Sequence, residues 1–189
     1  MRIRKAARTG GFSLIELIVF IVVVSIAVAG VLVVLTTTVK SSSDPGIRKQ
    51  MLAIAEAILE EVQLMPFTFC DPDDANVITA TSTAGCATAS NAEGASSPQS
   101  GESRGSLATP YDNVWDYRTF GLTGITDISG TAIAGLGGYS ATVAVAAAAL
   151  GGITSGSGDS VLITVTVTSP QGDSIRLDGY RTRYAPNSP

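Results

Sequence analysis

The residues able to do chemistry in this chain are few, and most of them are acids. Asp71, Asp73, Asp74 and Asn76 crowd into six positions directly after Cys70. Oxygen donors at that density can hold calcium. Their spacing does not match the twelve-residue helix–loop–helix calcium motif, so a solvated acidic turn without a metal is the expectation. Asp112 and Asp116 could form a carboxylate pair. No neighbour in the sequence would tune them, and turn or cap duties are expected. The remaining acid of interest is Glu16, in Gly10-Gly11-Phe12-Ser13-Leu14-Ile15-Glu16, at the mouth of an uncharged apolar run.

The inventory excludes much. There is no histidine, so Ser-His-Asp and Cys-His arrangements and histidine-ligated metals are out. No lysine follows Lys49, which removes a lysine base or Schiff base from the later chain. Two cysteines cannot make a four-cysteine zinc site. Gly135-Leu136-Gly137-Gly138 lacks the Lys-Ser/Thr of a P-loop and reads as a turn. Neither an enzyme nor a cofactor is expected.

These residues must be positioned by an uneven chain. From Leu17 to Leu35 there is no charge, and nineteen residues at about 1.5 Å each span roughly one hydrocarbon thickness. Arg2, Arg4, Lys5 and Arg8 precede the run, while all 16 acidic residues lie from Glu16 onward. A basic stub before an apolar span predicts a cytoplasmic N-terminus and a translocated remainder, although Lys40, Arg48 and Lys49 weaken the asymmetry. The acidic remainder argues against a broad nucleic-acid footprint. Export to an oxidising compartment favours a Cys70–Cys86 disulfide. It would close a loop of about 17 residues, worth roughly 3 kcal/mol in the chain-entropy model.

Asp44-Pro45 resembles an N-cap followed by proline at the first helical position. Ile47, Met51, Ile54, Ile58, Val62 and Met65 then recur at three and four residues, an amphipathic helix over about 45–65 that Pro66 stops. It either continues the apolar helix with a break or stands apart from it. Residues 67–110 read as a long, mobile insertion, and Tyr111–Phe120 as an aromatic cap on the core. Tyr139, Ala141, Val143 and Val145 alternate with Ser140, Thr142, Ala144 and Ala146, and Val161, Ile163, Val165 and Val167 alternate with Leu162, Thr164, Thr166 and Thr168. Ser169–Asp173 is a turn. Ile175 and Leu177 share a face, Tyr180 and Tyr184 have the opposite parity, and a bulge at Gly179 would restore the register. The fold class expected is α+β: a long N-terminal transmembrane and amphipathic helix packed on an antiparallel β-sheet head of at least three strands.

Two readings of the N-terminus compete. Ala27-Val28-Ala29 fits the small-residue rule of a secretory signal peptide, but cleavage there would leave GVLVVL at the new terminus and gives Glu16 no role. The other starts from Gly11-Phe12-Ser13-Leu14-Ile15-Glu16, which resembles the type IV prepilin signature. A short basic leader, glycine at the cleavage point, phenylalanine next and glutamate five residues into the mature chain carry the resemblance. It implies a pilin-like fold with a leader over 1–11, a transmembrane and filament-core helix over 12–39, a linker and amphipathic helix over 40–66, and a periplasmic β head with a disulfide-containing loop over 67–189. It also implies cleavage between Gly11 and Phe12 and N-methylation of Phe12 by prepilin peptidase. Further implied partners are other pilin subunits, an inner-membrane assembly platform and membrane lipid.

Asp44-Pro45 with Arg48-Lys49-Gln50, Ala53–Ala57, Cys70–Asn76, Asp112-Asn113-Val114 and Leu177–Tyr184 are similar to the MshD-like minor pilins of mannose-sensitive haemagglutinin (MSHA) pilus systems. That likeness implies a subunit of a surface pilus. A minor pseudopilin of type II secretion and a single-pass periplasmic binding protein are the alternatives. A glutamate in hydrocarbon costs about 2.5–3.5 kcal/mol on insertion scales, and the positive N-terminal amine of a neighbouring subunit would offset it.

Overall fold

The computed structural model describes residue 11 and residues 13–189, the side chains of 37–44 apart. The chain divides into two compact units, Met1–Gly46 and Ile47–Pro189. Helix α1 is assigned over Leu14–Leu64, with Pro45 inside it. Of the two arrangements the sequence left open, the helix continues: helical backbone lies on both sides of Pro45, a proline that can donate no hydrogen bond to the preceding turn and so does not act as a first helical residue. The expected capping side chain, Asp44, lies outside the described side chains.

In the first unit, Leu14–Thr36 is long and apolar enough to cross a membrane, and none of it is buried inside the protein. The two hydroxyls after Glu16 in this span turn back on the helix. Ser25 Oγ donates to the Ile21 carbonyl at 2.7 Å, and Thr36 Oγ1 donates to that of Val33 at 2.9 Å. Neither leaves a polar group without a partner in an apolar surrounding.

The second unit is an α+β head. Its sheet is a four-stranded antiparallel meander, β1 (Gly121–Thr123), β2 (Ser140–Ala147), β3 (Ser160–Thr168) and β4 (Ser174–Thr182), in that spatial order. The alternation read from the sequence places Ala141, Val143, Val145, Val161, Ile163, Val165 and Val167 on one buried face. Met51, Ile54, Ala55, Ile58 and Val62 of α1 join them in a single core. Full burial of a valine- or isoleucine-sized side chain is worth about 1.5–3 kcal/mol, so this seam is the main stabilising feature of the head. β1 has three residues, too short for alternation to reveal, and it went unseen in the sequence.

The bulge expected at Gly179 is absent. β3 and β4 pair without interruption from Ser160↔Thr182 to Thr168↔Ser174. Tyr180 and Tyr184 do not need a core position, being 46% and 74% exposed; Tyr184 instead lies under the Arg181 guanidinium, 4.9 Å from the ring centroid. Gly179 has a different duty. A Cβ there would stand 2.9 Å from Leu59 Cδ1 and 2.6 Å from Gln63 Nε2, so the missing side chain lets the helix lie close on the inner face of β4. In the β3–β4 turn, Gly172 takes φ +91° and Ser169 N donates to the Asp173 carbonyl at 2.8 Å.

Residues 67–110 contain little regular structure, as the sequence implies, but they are tied down at several points. The Cys70–Cys86 disulfide, with Cα atoms 5.5 Å apart, and a bridge between Cys70 and Ala92 close the first part. Arg104 secures the second part to α1. The aromatic segment caps the core as expected: Val114, Trp115 and Tyr117 are buried in a 3-10 turn over Val114–Thr119. The Tyr111, Tyr117 and Phe120 rings meet edge-on at 5.2–6.0 Å.

Candidate functional site

The stretch Gly11–Glu16, expected to be a processing site, is the first candidate. Gly11 is exposed, and a Cβ on it would meet nothing within 4 Å. Phe12, the residue expected to carry the methylated amine, lies outside the described residues. The backbone enters the helix immediately afterwards, with Leu17 N donating to the Ser13 carbonyl at 3.2 Å. Glu16 stands exposed in the first turn of α1, where the N-terminal end of the helix dipole favours a negative charge. Among the described residues Glu16 has no side-chain partner.

The second candidate is the acidic loop behind the disulfide, and the structure divides its four members. Asp74 and Asn76 are structural. The Asp74 carboxylate accepts from Asn76 N and Ala87 N at 2.9 Å and from Thr88 N at 3.0 Å, while Asn76 Nδ2 donates to the Gly85 carbonyl at 2.9 Å. Together they sew the two sides of the disulfide loop. Burial works to raise the Asp74 carboxyl, but the donors from Ala87, Asn76 and Thr88 outweigh it and hold the group below the usual carboxylate range.

Asp71 and Asp73 turn the other way. Asp71 Oδ1 accepts from Asp73 N at 2.6 Å, and carboxylate oxygens of Asp71, Asp73 and Asp112 lie within 4.8 Å of one another. Asp112 comes from the segment that leads into the aromatic cap, 39 residues beyond Asp73. Asp116 adjoins it as the cap of the 3-10 turn, with Asp116 Oδ2 accepting from Asn113 N at 2.8 Å and from Asp112 N at 3.1 Å. The cap role expected of this acid is thus what the geometry shows, with Asn113 Oδ1 accepting from Trp115 N to complete a capping box.

Two further acids, Glu93 and Glu102, reach this region without a sequence signal. Glu93 is buried and accepts from Ser97 Oγ and Gln99 Nε2, each at 2.7 Å. Glu102 accepts from Gln99 N at 2.9 Å. Burial pushes Glu93 up to about 7, with the Asp71 and Glu102 charges adding to it against the two hydrogen bonds. Burial also pushes Glu102 up to about 8, aided by a hydrogen bond to Asp71 that only its protonated form donates. Asp116 is pushed up to about 8, first by burial and then by the Glu93 charge. Asp112 is pushed up to about 6 by burial and by Asp71 and Asp73. Arg183, the cation whose charge reaches Glu93, is already committed: it stacks on Phe67 and Phe69 at 4.3 and 4.2 Å and pairs with Asp159 at 3.4 Å.

Elsewhere in the head, Arg104 grips Glu61 through two bonds, Nε to Oε1 at 2.6 Å and Nη2 to Oε2 at 2.7 Å. Tyr117 donates its hydroxyl to Glu61 Oε1 at 2.7 Å, and Arg104 Nη1 donates to the Asp127 carbonyl at 2.7 Å. The sequence reading missed this set. Its one available signal was Arg104 itself, a lone cation between Lys49 and Arg118 in a segment with almost no apolar content.

No family model, curated protein or solved structure matches this chain.

Proposed function

We propose that the protein is a minor pilin or pseudopilin, cut between Gly11 and Phe12, N-methylated on Phe12, and assembled through its N-terminal helix into a type IV filament of MSHA type. The observation that carries this reading is the junction of the Gly-Phe-Ser-Leu-Ile-Glu sequence with an apolar helix none of which is buried by its own chain. A span so exposed needs lipid before assembly and other apolar helices after it. Glu16 fits the same account, since it lacks a partner among the described residues and an amine freed by cleavage would supply one. The pilin-like arrangement, the cytoplasmic N-terminus and periplasmic head, and the partnership with prepilin peptidase and an assembly platform belong to this proposal. The role is assembly, not catalysis.

The test is the mass of the N-terminal peptide of the protein recovered from membranes and from sheared filaments. Methyl-phenylalanine from Phe12 is expected. A chain still beginning before Gly11, or one cut after Ala29, would overturn the reading. Glu16→Ala is expected to be cut normally yet to enter filaments at least tenfold less well, read by immunoblot of the sheared fraction.

A further inference from the structure

From residue 47 onward the chain carries 14 acidic residues and seven basic ones, and the basic ones are unevenly used. Four are spent or enclosed. Arg104 pairs with Glu61, Arg183 pairs with Asp159, Arg181 lies over Tyr184, and Arg118 is half-buried. The other three, Arg48, Lys49 and Arg176, are exposed and line one cleft of about 430 Å³ with Leu52, Ser174 and Ile175. That volume lies in the roughly 300–1,000 Å³ range of small-ligand sites. Among the described residues no acid lines the cleft, and Arg48 and Lys49 have no side-chain partner. Arg176 is held in place: Nε donates to Asp178 Oδ1 at 2.8 Å and Nη2 to Thr164 Oγ1 at 3.3 Å, which leaves Nη1 unused. With Asp178 counted, the cleft still carries an excess of positive charge, and three cations held near one another favour an anion between them. The cleft also has an apolar side, where Leu52 is 42% exposed and Ile175 is half-buried.

The chain also limits which anion comes within reach. Leu14–Thr36 is long and apolar enough to cross a membrane, and Arg48 follows Thr36 by twelve residues. Twelve residues span about 40 Å even when fully extended, so the headgroups at the end of the span stay within reach of the cleft. Each basic side chain beside an anionic membrane surface strengthens binding about fivefold. Leu52 and Ile175 suit the glycerol and upper acyl chain that adjoin a headgroup. We propose that the cleft of Arg48, Lys49 and Arg176 holds the phosphate headgroup of an anionic phospholipid from the membrane that contains the span. The contact would tether an acidic head to a surface that otherwise repels it. The inference rests on Leu14–Thr36 lying in a membrane, the first part of the proposed function, and not on cleavage or filament assembly.

The test uses the full chain in neutral detergent with its disulfide intact, mixed with equal amounts of phosphatidylglycerol and phosphatidylcholine of the same acyl chains. Native mass spectrometry counts the lipid that each chain retains. A preference for phosphatidylglycerol of at least fivefold is expected, falling as the ionic strength is raised. Arg48→Gln with Lys49→Gln should bring the preference to twofold or less, and Arg176→Gln should at least halve it. Both variants keep the basic residues before the span, so they isolate the cleft. All three positions are exposed, so the melting temperature should stay within about 2 °C of the parent. Equal retention of the two lipids by the parent, or a preference unchanged in both variants, overturns the inference. Displacement of the lipid by about 10 mM inorganic phosphate also overturns it, because the cleft would then serve free phosphate. Dimers that the same variants abolish, with no lipid preference in the parent, would give the cleft to a second copy and overturn it as well. An N-terminus left uncut beside a retained lipid preference would sink the filament reading alone.

Discussion

The head buries carboxylates in two places and treats them in opposite ways. On α1, Glu61 meets Arg104 in a two-bonded pair, and Tyr117 adds a third donor. Burial raises the Glu61 carboxyl, but Arg104 and Tyr117 more than offset it, and the group lies below its ordinary range. Behind the disulfide, Glu93, Glu102 and Asp116 accept from neutral donors alone, the Ser97 hydroxyl, Gln99 and backbone N–H groups, and burial with neighbouring carboxylate charges pushes Asp112, Asp116, Glu93 and Glu102 up. The difference shows that depth alone does not decide the state of a buried acid. What decides it is whether the chain brings a cation to the same place. Where it does, the acid is a structural tie; where it does not, the neutralising charge must arrive as protons.

Removing the cation from the paired side should have the largest effect. Arg104→Met strands a buried carboxylate, and loss of one partner from a buried pair costs about 3–5 kcal/mol, which lowers the melting temperature by about 10 °C. Adding Glu61→Gln should recover most of that loss. A double variant as unstable as the single one would break the comparison. Next in size, Cys70→Ser with Cys86→Ser should cost about 3 kcal/mol in urea unfolding of the full chain. Because it touches the acidic side alone, the cost of Arg104→Met in that background should be unchanged. Coupling between the two would show that they are one region.

The two sides also answer pH with opposite signs. The four raised acids hold protons in the folded state that the unfolded chain, at ordinary values of 3.8 and 4.5, would release. Their contribution is full below about pH 4 and is lost as pH climbs toward about 8. Glu61 is the reverse: its contribution is present above its ordinary value of 4.5 and is lost as pH falls through its lowered one. The melting temperature should therefore fall by about 5 °C between pH 5 and pH 8. A flat or rising profile over that window would sink the contrast. Last, Asp178→Asn breaks a pair with Arg176 whose side chains are 43% and 58% exposed. Pairing in water is worth little, so no measurable change in melting temperature is expected.

Much of this was legible along the chain. Ile47, Met51, Ile54, Ile58 and Val62 announce one helix face, and the valines of β3 announce one sheet face, because each element buries a side whose period is fixed by backbone geometry. The disulfide was legible too, since there are only two cysteines and both lie in the part read as exported. The acidic loop was half legible. Asp71–Asn76 stood out by density, but which members face inward depends on the path of the disulfide loop. Asp112 joins from another segment with no spacing signal. Glu61 has no partner nearby in the sequence, because Arg104 lies 43 positions away.

The sequence by itself determined the local and periodic features: an apolar span preceded by a glutamate, an amphipathic helix and alternating strands. These follow from neighbours a few positions apart, which constrain one another whatever the rest of the chain does. Only the tertiary structure decided which acids come together, which one receives an arginine, and that Gly179 is a gap for Leu59 rather than a bulge. Such matters turn on distances between segments tens of residues apart, and long-range electrostatics and packing have no period to read.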